Sequence, residues 1–216
     1  MAYFLEDWIT FNYLKFILII MVIELDNTEE KIVEATFGIL QKEGSKKATT
    51  KRIAAEAGVN EVTIFRKFES KKNLIKITKE YYVARFVGKL EDIFEFSDDD
   101  EIADYLNRCF YKILDIPEND FSIIKIAMED VRAVPDRKHL ISNFTDIVIE
   151  KLEDFFKFQI EKGKVREINP KVLSLMCFSM IFQSVILWKI YDDRHDVENK
   201  DYSDDFLDLL FNGIKP

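Results

Sequence analysis

Only six glycines and four prolines are spread over these 216 residues. A sandwich or barrel built from many short strands turns often, and its tight turns draw heavily on those two residues. With so few, the chain is expected to fold into long helices joined by short breaks, an all-α architecture. Hydrophobic residues make up 48% and charged residues 33%, ample for a packed core and too apolar for a disordered chain. Two cysteines, Cys109 and Cys177, and two histidines, His139 and His195, exclude a disulfide framework and a Cys/His zinc cage. Reduced thiols point to the cytoplasm, and no cofactor motif is present.

Apolar periodicity and capping residues divide the chain. Ile32, Val33, Phe37, Ile39 and Leu40 form a stripe that Gly44 ends, with Glu29 and Glu30 at the favourable positive end of the helix. Thr28 has Lys31 three residues on, so it makes no full capping box. Thr49 and Thr50 cap a short second helix that Gly58 stops, and Asn60 caps a third, Glu61 to Phe68. Ser70 starts a long fourth helix, from about 71 towards 94. Further helices are expected near 100–115, 119–133, 136–162, 169–191 and 203–213, with Pro117, Pro135, Gly163 and Pro170 in or beside the breaks.

The first 24 residues stand apart as an extension. Phe16 to Ile23 is an unbroken apolar run, well short of the roughly 20 residues a membrane helix needs. Lys15 precedes it, with Glu6 and Asp7 further back, which is not the basic stretch that opens a secretory signal, and no small-residue cleavage site follows. Met21 is an alternative start, leading straight into the first patterned helix; a packed or membrane-associated extra helix is the other reading.

Charge is unevenly distributed. Residues 27–79 carry 12 Lys/Arg against 7 Asp/Glu, whereas residues 80–216 carry 18 against 29. A basic block followed by an acidic remainder points to a nucleic-acid-facing domain at 25–85 and a domain of different purpose at 86–216.

Within the basic block, residues 49–68 read TTKRIAAEAGVNEVTIFRKF. Two short helices joined by Gly58-Val59-Asn60 meet the needs of a helix-turn-helix: a glycine for the sharp turn, a valine to plug the space, an asparagine to cap the second helix. Ile53, Ala54, Ala57, Val59, Ile64 and Phe68 form its expected small core. Glu61, Val62, Thr63, Phe65, Arg66 and Lys67 are left to face outward. Among them Arg66 alone carries a guanidinium that can fork onto a guanine, while the lysines act as point charges on phosphate.

This segment resembles the TetR family of transcriptional regulators. The likeness covers about residues 28–75: Phe37 and Gly44 in and after the first helix, then Thr49-Thr50, Ile53-Ala54, Ala57-Gly58-Val59, Thr63-Ile64-Phe65, Phe68, Ser70-Lys71 and Leu74. The resemblance implies DNA-backbone contacts at Thr50, Lys51, Lys67 and Lys71, with base-edge contacts near Glu61, Val62 and Thr63 on the helix that Asn60 caps. Phe65 stands where the family often has tyrosine; it keeps an apolar contact and lacks the hydroxyl. Val62 stands where a small residue is common. The resemblance further implies a homodimer formed by the helices near 169–191 and 203–213, an inverted-repeat operator in double-stranded DNA, a small-molecule effector, and repression. A ligand among the middle helices would then act on DNA affinity through the fourth helix.

Val172 to Trp188 carries no charge and borders on a membrane span, but Ser174, Ser179, Gln183 and Ser184 interrupt it. Burial on two sides, against its own domain and a partner subunit, explains the composition without a membrane. Phe94, Phe110, Phe121, Phe144 and Phe155 are the candidate lining of an apolar effector site. The one enzymatic alternative is a His/Asp metal-dependent phosphohydrolase using Arg194-His195-Asp196 and His139. It requires His and Asp from several helices to converge on a metal, and these residues sit in an Asp-rich stretch that suits a solvated connector.

Overall fold

A computed structural model describes residues 24–133, 140–190 and 199–213. The N-terminal extension with Met21, His139 and the Arg194-His195-Asp196 triplet lie outside the described residues. Among those described there are nine α-helices, one π-helical turn and no strand. The helices are α1 Asn27–Glu43, α2 Thr50–Ala57, α3 Glu61–Phe68, α4 Lys71–Ile93, α5 Ile102–Leu114, α6 Glu118–Ala133, α7 Leu140–Glu161, α8 Pro170–Val185 and α9 Asn199–Asn212, with the π turn at Ile186–Ile190. The chain is all-α, as its scarcity of helix breakers requires.

Two boundaries differ from the sequence reading. The cap of α1 is Asp26, whose carboxylate accepts from the backbone N–H of Thr28 and Glu29 while the Glu29 side chain accepts from Asp26 N–H. The full capping box therefore exists, two residues upstream of Thr28. The last helix begins at Asn199, some four residues before the expected start near 203.

The chain divides into two compact units. The first comprises the described residues up to Gly88 together with Ser122–Ala133; the second comprises Lys89–Phe121 and the described residues beyond Val134. The sequence reading kept 86–216 whole, but Ser122–Ala133 falls in the first unit. One bond that holds it there runs from Gln41 on α1, whose Nε2 donates to Ser122 Oγ at 2.6 Å.

In the first unit α1 packs on α2 and α2 on α3. Ile32, Val33, Ile53, Ile64, Phe68 and Leu74 are sealed from solvent, and the Phe37 ring stacks on Tyr82 at 3.6 Å. Ala57 and Val59, expected in the core, are only half-buried.

In the second unit α7 packs along α8, while α5 meets α8 and α9. The Tyr105 ring stacks on Phe155 at 3.8 Å and its hydroxyl donates to the Phe94 carbonyl at 2.9 Å. Burial holds that phenol well above its ordinary pKa. Asp100 takes both arms of the Arg108 guanidinium at 2.8 Å, and Arg108 lowers the carboxyl pKa to about 2. Cys109 and Cys177 are buried, and burial pushes both thiols up to about 12, which disfavours the thiolate. Trp188, in the π turn, meets Phe110 at 5.9 Å and Tyr202 at 5.1 Å, and Lys189 donates to the Ile116 carbonyl at 3.2 Å.

Candidate nucleic-acid interface

The helix-turn-helix is built by three caps. Thr49 Oγ1 accepts from Arg52 N–H at 3.3 Å and starts α2. At its end Gly58 takes the left-handed conformation, φ +67° and ψ +32°, with its N–H on the Ala54 and Ala55 carbonyls. Glycine adopts this region without the Cβ clash that other residues meet there. Val59 N–H then bonds Ala54 O at 2.9 Å, and Asn60 Oδ1 accepts from Val62 N–H at 2.9 Å to open α3. Ile64 and Phe68, one turn apart, pin α3 to the core. Ser70 Oγ accepts from Asn73 N–H at 3.1 Å and opens α4.

These caps leave one face of α3 uncovered. Val62 is 70% exposed and Phe65 47%, and Arg66 is exposed beside them. Thr63 is half-buried, while Asn60 and Lys51 are exposed. Lys71, half-buried, and the exposed Lys72 open α4. Lys46 and Lys47 lie exposed in the turn before α2; the sequence reading did not single them out, although the basic bias of residues 27–79 contains them.

Three of the expected contact residues, Thr50, Glu61 and Lys67, are occupied within the unit. Thr50 Oγ1 donates to Glu61 Oε1 at 2.5 Å, joining the first residue of α2 to the first of α3. The Lys67 ammonium is bound to Asp26 and lies 3.5 Å from Glu29, so it holds α3 to the cap of α1. Their hydrogen bond raises the lysine pKa and lowers that of Asp26. This partner was not foreseen, because 41 residues separate it from Lys67. Arg52, the other guanidinium in the motif, forks onto Glu43 of α1. Arg66 thus keeps the outward position read for it.

Three of the candidate effector residues fall in two aromatic groupings. Phe94 and Phe155 are joined through Tyr105, whose hydroxyl reaches the Phe94 carbonyl and whose ring lies on Phe155. Phe110 belongs to a different group with Trp188 and Tyr202. Phe121 and Phe144 are buried in the same unit.

Residues 32–76, from the middle of α1 into α4, match the family profile of bacterial regulatory proteins, tetR family. The chain carries a TetR-family N-terminal domain over these residues. The chain is similar to YvkB of Bacillus subtilis, an uncharacterized HTH-type transcriptional regulator, at 29% identity over 157 residues that cover 72% of this chain and 79% of that protein. Its fold matches a TetR transcription regulator from Haloarcula marismortui with a TM-score of 0.61 at 20% identity, covering 84% of this chain and 98% of the other. It also matches the transcriptional regulator FadR of Bacillus subtilis in complex with stearoyl-CoA, with a TM-score of 0.57 at 20% identity over 86% of this chain and 99% of that one. Among the described residues no group of three or more His, Cys, Asp and Glu is placed to hold a metal ion.

Proposed function

We propose that this chain is a TetR-family transcriptional regulator, a cytoplasmic homodimer that binds an inverted-repeat operator and represses transcription until a small apolar effector releases it. The observation that carries DNA reading is the exposed face of α3, with Val62 and Arg66 on an Asn60-capped helix whose other side is sealed by Ile64 and Phe68. An α-helix presented in this way fits the major groove of B-DNA. Residues 25–85 are the DNA-binding domain in this reading, with effector binding and dimerisation in 86–216. Thr50, Lys51 and Lys71 face the phosphates, and Asn60, Glu61, Val62, Thr63, Phe65 and Arg66 lie at or near base edges.

Dimerisation is supported by an apolar surface on α8 and α9. Val172, Leu175, Met176, Leu209 and Phe211 are all exposed there, around an open groove of about 900 Å³. By length and composition Pro170–Lys189 would also suffice to cross a membrane, with a mean hydropathy of 1.7. A second copy of the chain covers the same face without placing the serines of α8 in lipid. An effector of the fatty-acyl class is the first to test, since FadR is the regulator in the stearoyl-CoA complex. Phe94, Phe110, Phe121, Phe144 and Phe155 remain the residues through which an apolar chain would be sensed.

The deciding experiment is selection of bound duplexes from a random library with the purified protein. Enrichment of an inverted repeat, with binding that falls steeply as salt rises, supports the reading. A library that yields no enriched sequence refutes it.

A further inference from the structure

At 3.6 residues per turn, Val62 and Arg66 lie one above the other on the side of α3 opposite Ile64 and Phe68. Phe65 and Thr63 flank them. The remaining outward side chains of this helix that carry strong hydrogen-bonding groups are already committed: Glu61 accepts the Thr50 hydroxyl proton, and Lys67 is held by Asp26 and Glu29. What the helix offers to a groove is therefore one guanidinium, one hydroxyl and two exposed apolar side chains. In the major groove the apolar feature of a base edge is the C5-methyl group of thymine. We propose that this regulator reads its half-site largely through 5-methyl groups, with Val62 and Phe65 each covering a pyrimidine methyl beside a guanine held by Arg66.

The charge around the face favours DNA over a protein partner as its occupant. Lys51 and Lys72 are exposed next to the motif, and residues 27–79 carry a net charge of +5. Such a surround attracts a polyanion and repels basic peptide surfaces. The absence of a hydroxyl on Phe65 also fits a methyl contact, because a buried phenol would need a polar partner.

The inference rests on the DNA-binding reading above, and its test separates the two. In the enriched duplex each thymidine of the half-site is replaced in turn, in both half-sites together, by deoxyuridine, which removes the methyl and leaves base pairing intact. Burying one methyl group corresponds to about a fourfold affinity change, so the symmetric replacement is expected to weaken binding about fifteenfold at the covered positions and leave the others unchanged. The Val62→Ala and Phe65→Ala variants should each abolish the difference between thymidine and deoxyuridine at one position. Both side chains are exposed, so folding is expected to survive, and thermal melts check that it does. At a covered position, 5-methylcytosine paired with guanine should bind about fourfold better than cytosine. If every thymidine tolerates deoxyuridine while Arg66→Ala still weakens binding, the methyl reading is overturned and DNA recognition stands. If the library yields no enriched duplex, both fall.

Discussion

Two glycines that end helices provide a graded test of what holds the first unit in shape. Gly58 sits at φ +67°, ψ +32°, and Gly44 at φ +76°, ψ 174°. A Cβ added at either would meet nothing within 4 Å, so the cost of Gly→Ala is conformational and not steric. The left-handed region costs a non-glycine residue about 1–2 kcal/mol, and removing glycine's freedom from the unfolded chain returns about 0.4–1 kcal/mol. Gly58→Ala should therefore destabilise by about 1 kcal/mol. The extended positive-φ region of Gly44 is populated essentially by glycine alone and costs up to about 3 kcal/mol, leaving about 2 kcal/mol for Gly44→Ala after the same return. Urea denaturation followed by circular dichroism resolves the two, since with a slope of about 2 kcal/mol per M they shift the midpoint by about 0.5 and 1 M. Gly58→Asn should lie closer to wild type than Gly58→Ala, because asparagine tolerates the left-handed region. A Gly58→Ala cost equal to or above that of Gly44→Ala would refute the dihedral explanation and point to close helix approach at the turn.

Three further outcomes are expected. In a binding assay on the selected operator, Arg66→Ala should cost about 1–3 kcal/mol and relax preference at one base position, whereas Lys71→Ala should weaken all sequences about equally and reduce the salt slope by about one. Met176→Glu, on the exposed face of α8, should convert a dimer to monomers in analytical ultracentrifugation; an unchanged sedimentation coefficient would place the interface elsewhere. Asp100, lowered to about 2 from 3.8 by Arg108, contributes stability that is complete above the unfolded value and disappears as the pH falls through the folded one. Asp100→Asn should thus melt below wild type at neutral pH, and the gap should close between about pH 4 and pH 2.

Local signals in the sequence carried most of the fold. Gly44, Gly58, Asn60 and Ser70 end or start the helices that the apolar spacing implied, because caps act within three or four residues of their own position. The outward set on α3 followed from the same spacing. What the sequence did not reveal is long-range pairing. Nothing in Lys67 signals Asp26 as its partner, nor in Thr50 that its hydroxyl would meet Glu61, since both bonds depend on how separate helices come to rest. The aromatic candidates show the same limit from the other side. Their number was legible, but the assignment of Phe155 to Tyr105 and of Phe110 to Trp188 and Tyr202 came only with packing. Asp26 was missed for a simpler reason: the search for a cap began at Thr28, although Asp26 with Glu29 three residues on satisfies the capping pattern.

The π turn at Ile186–Ile190 bears on how this chain should be compared with its relatives. An i→i+5 turn accommodates one residue more than an α turn, so it is the footprint a single-residue insertion leaves in a helix. Within the turn the wider winding turns each side chain away from where an uninterrupted α-helix would put it, and that sets the direction in which Trp188 leaves the backbone. A relative lacking the extra residue would carry a different side chain at the Trp188 site even if its sequence aligned without a break. Alignments of this helix therefore need a one-residue gap within Ile186–Ile190 before a comparison at Trp188 has meaning.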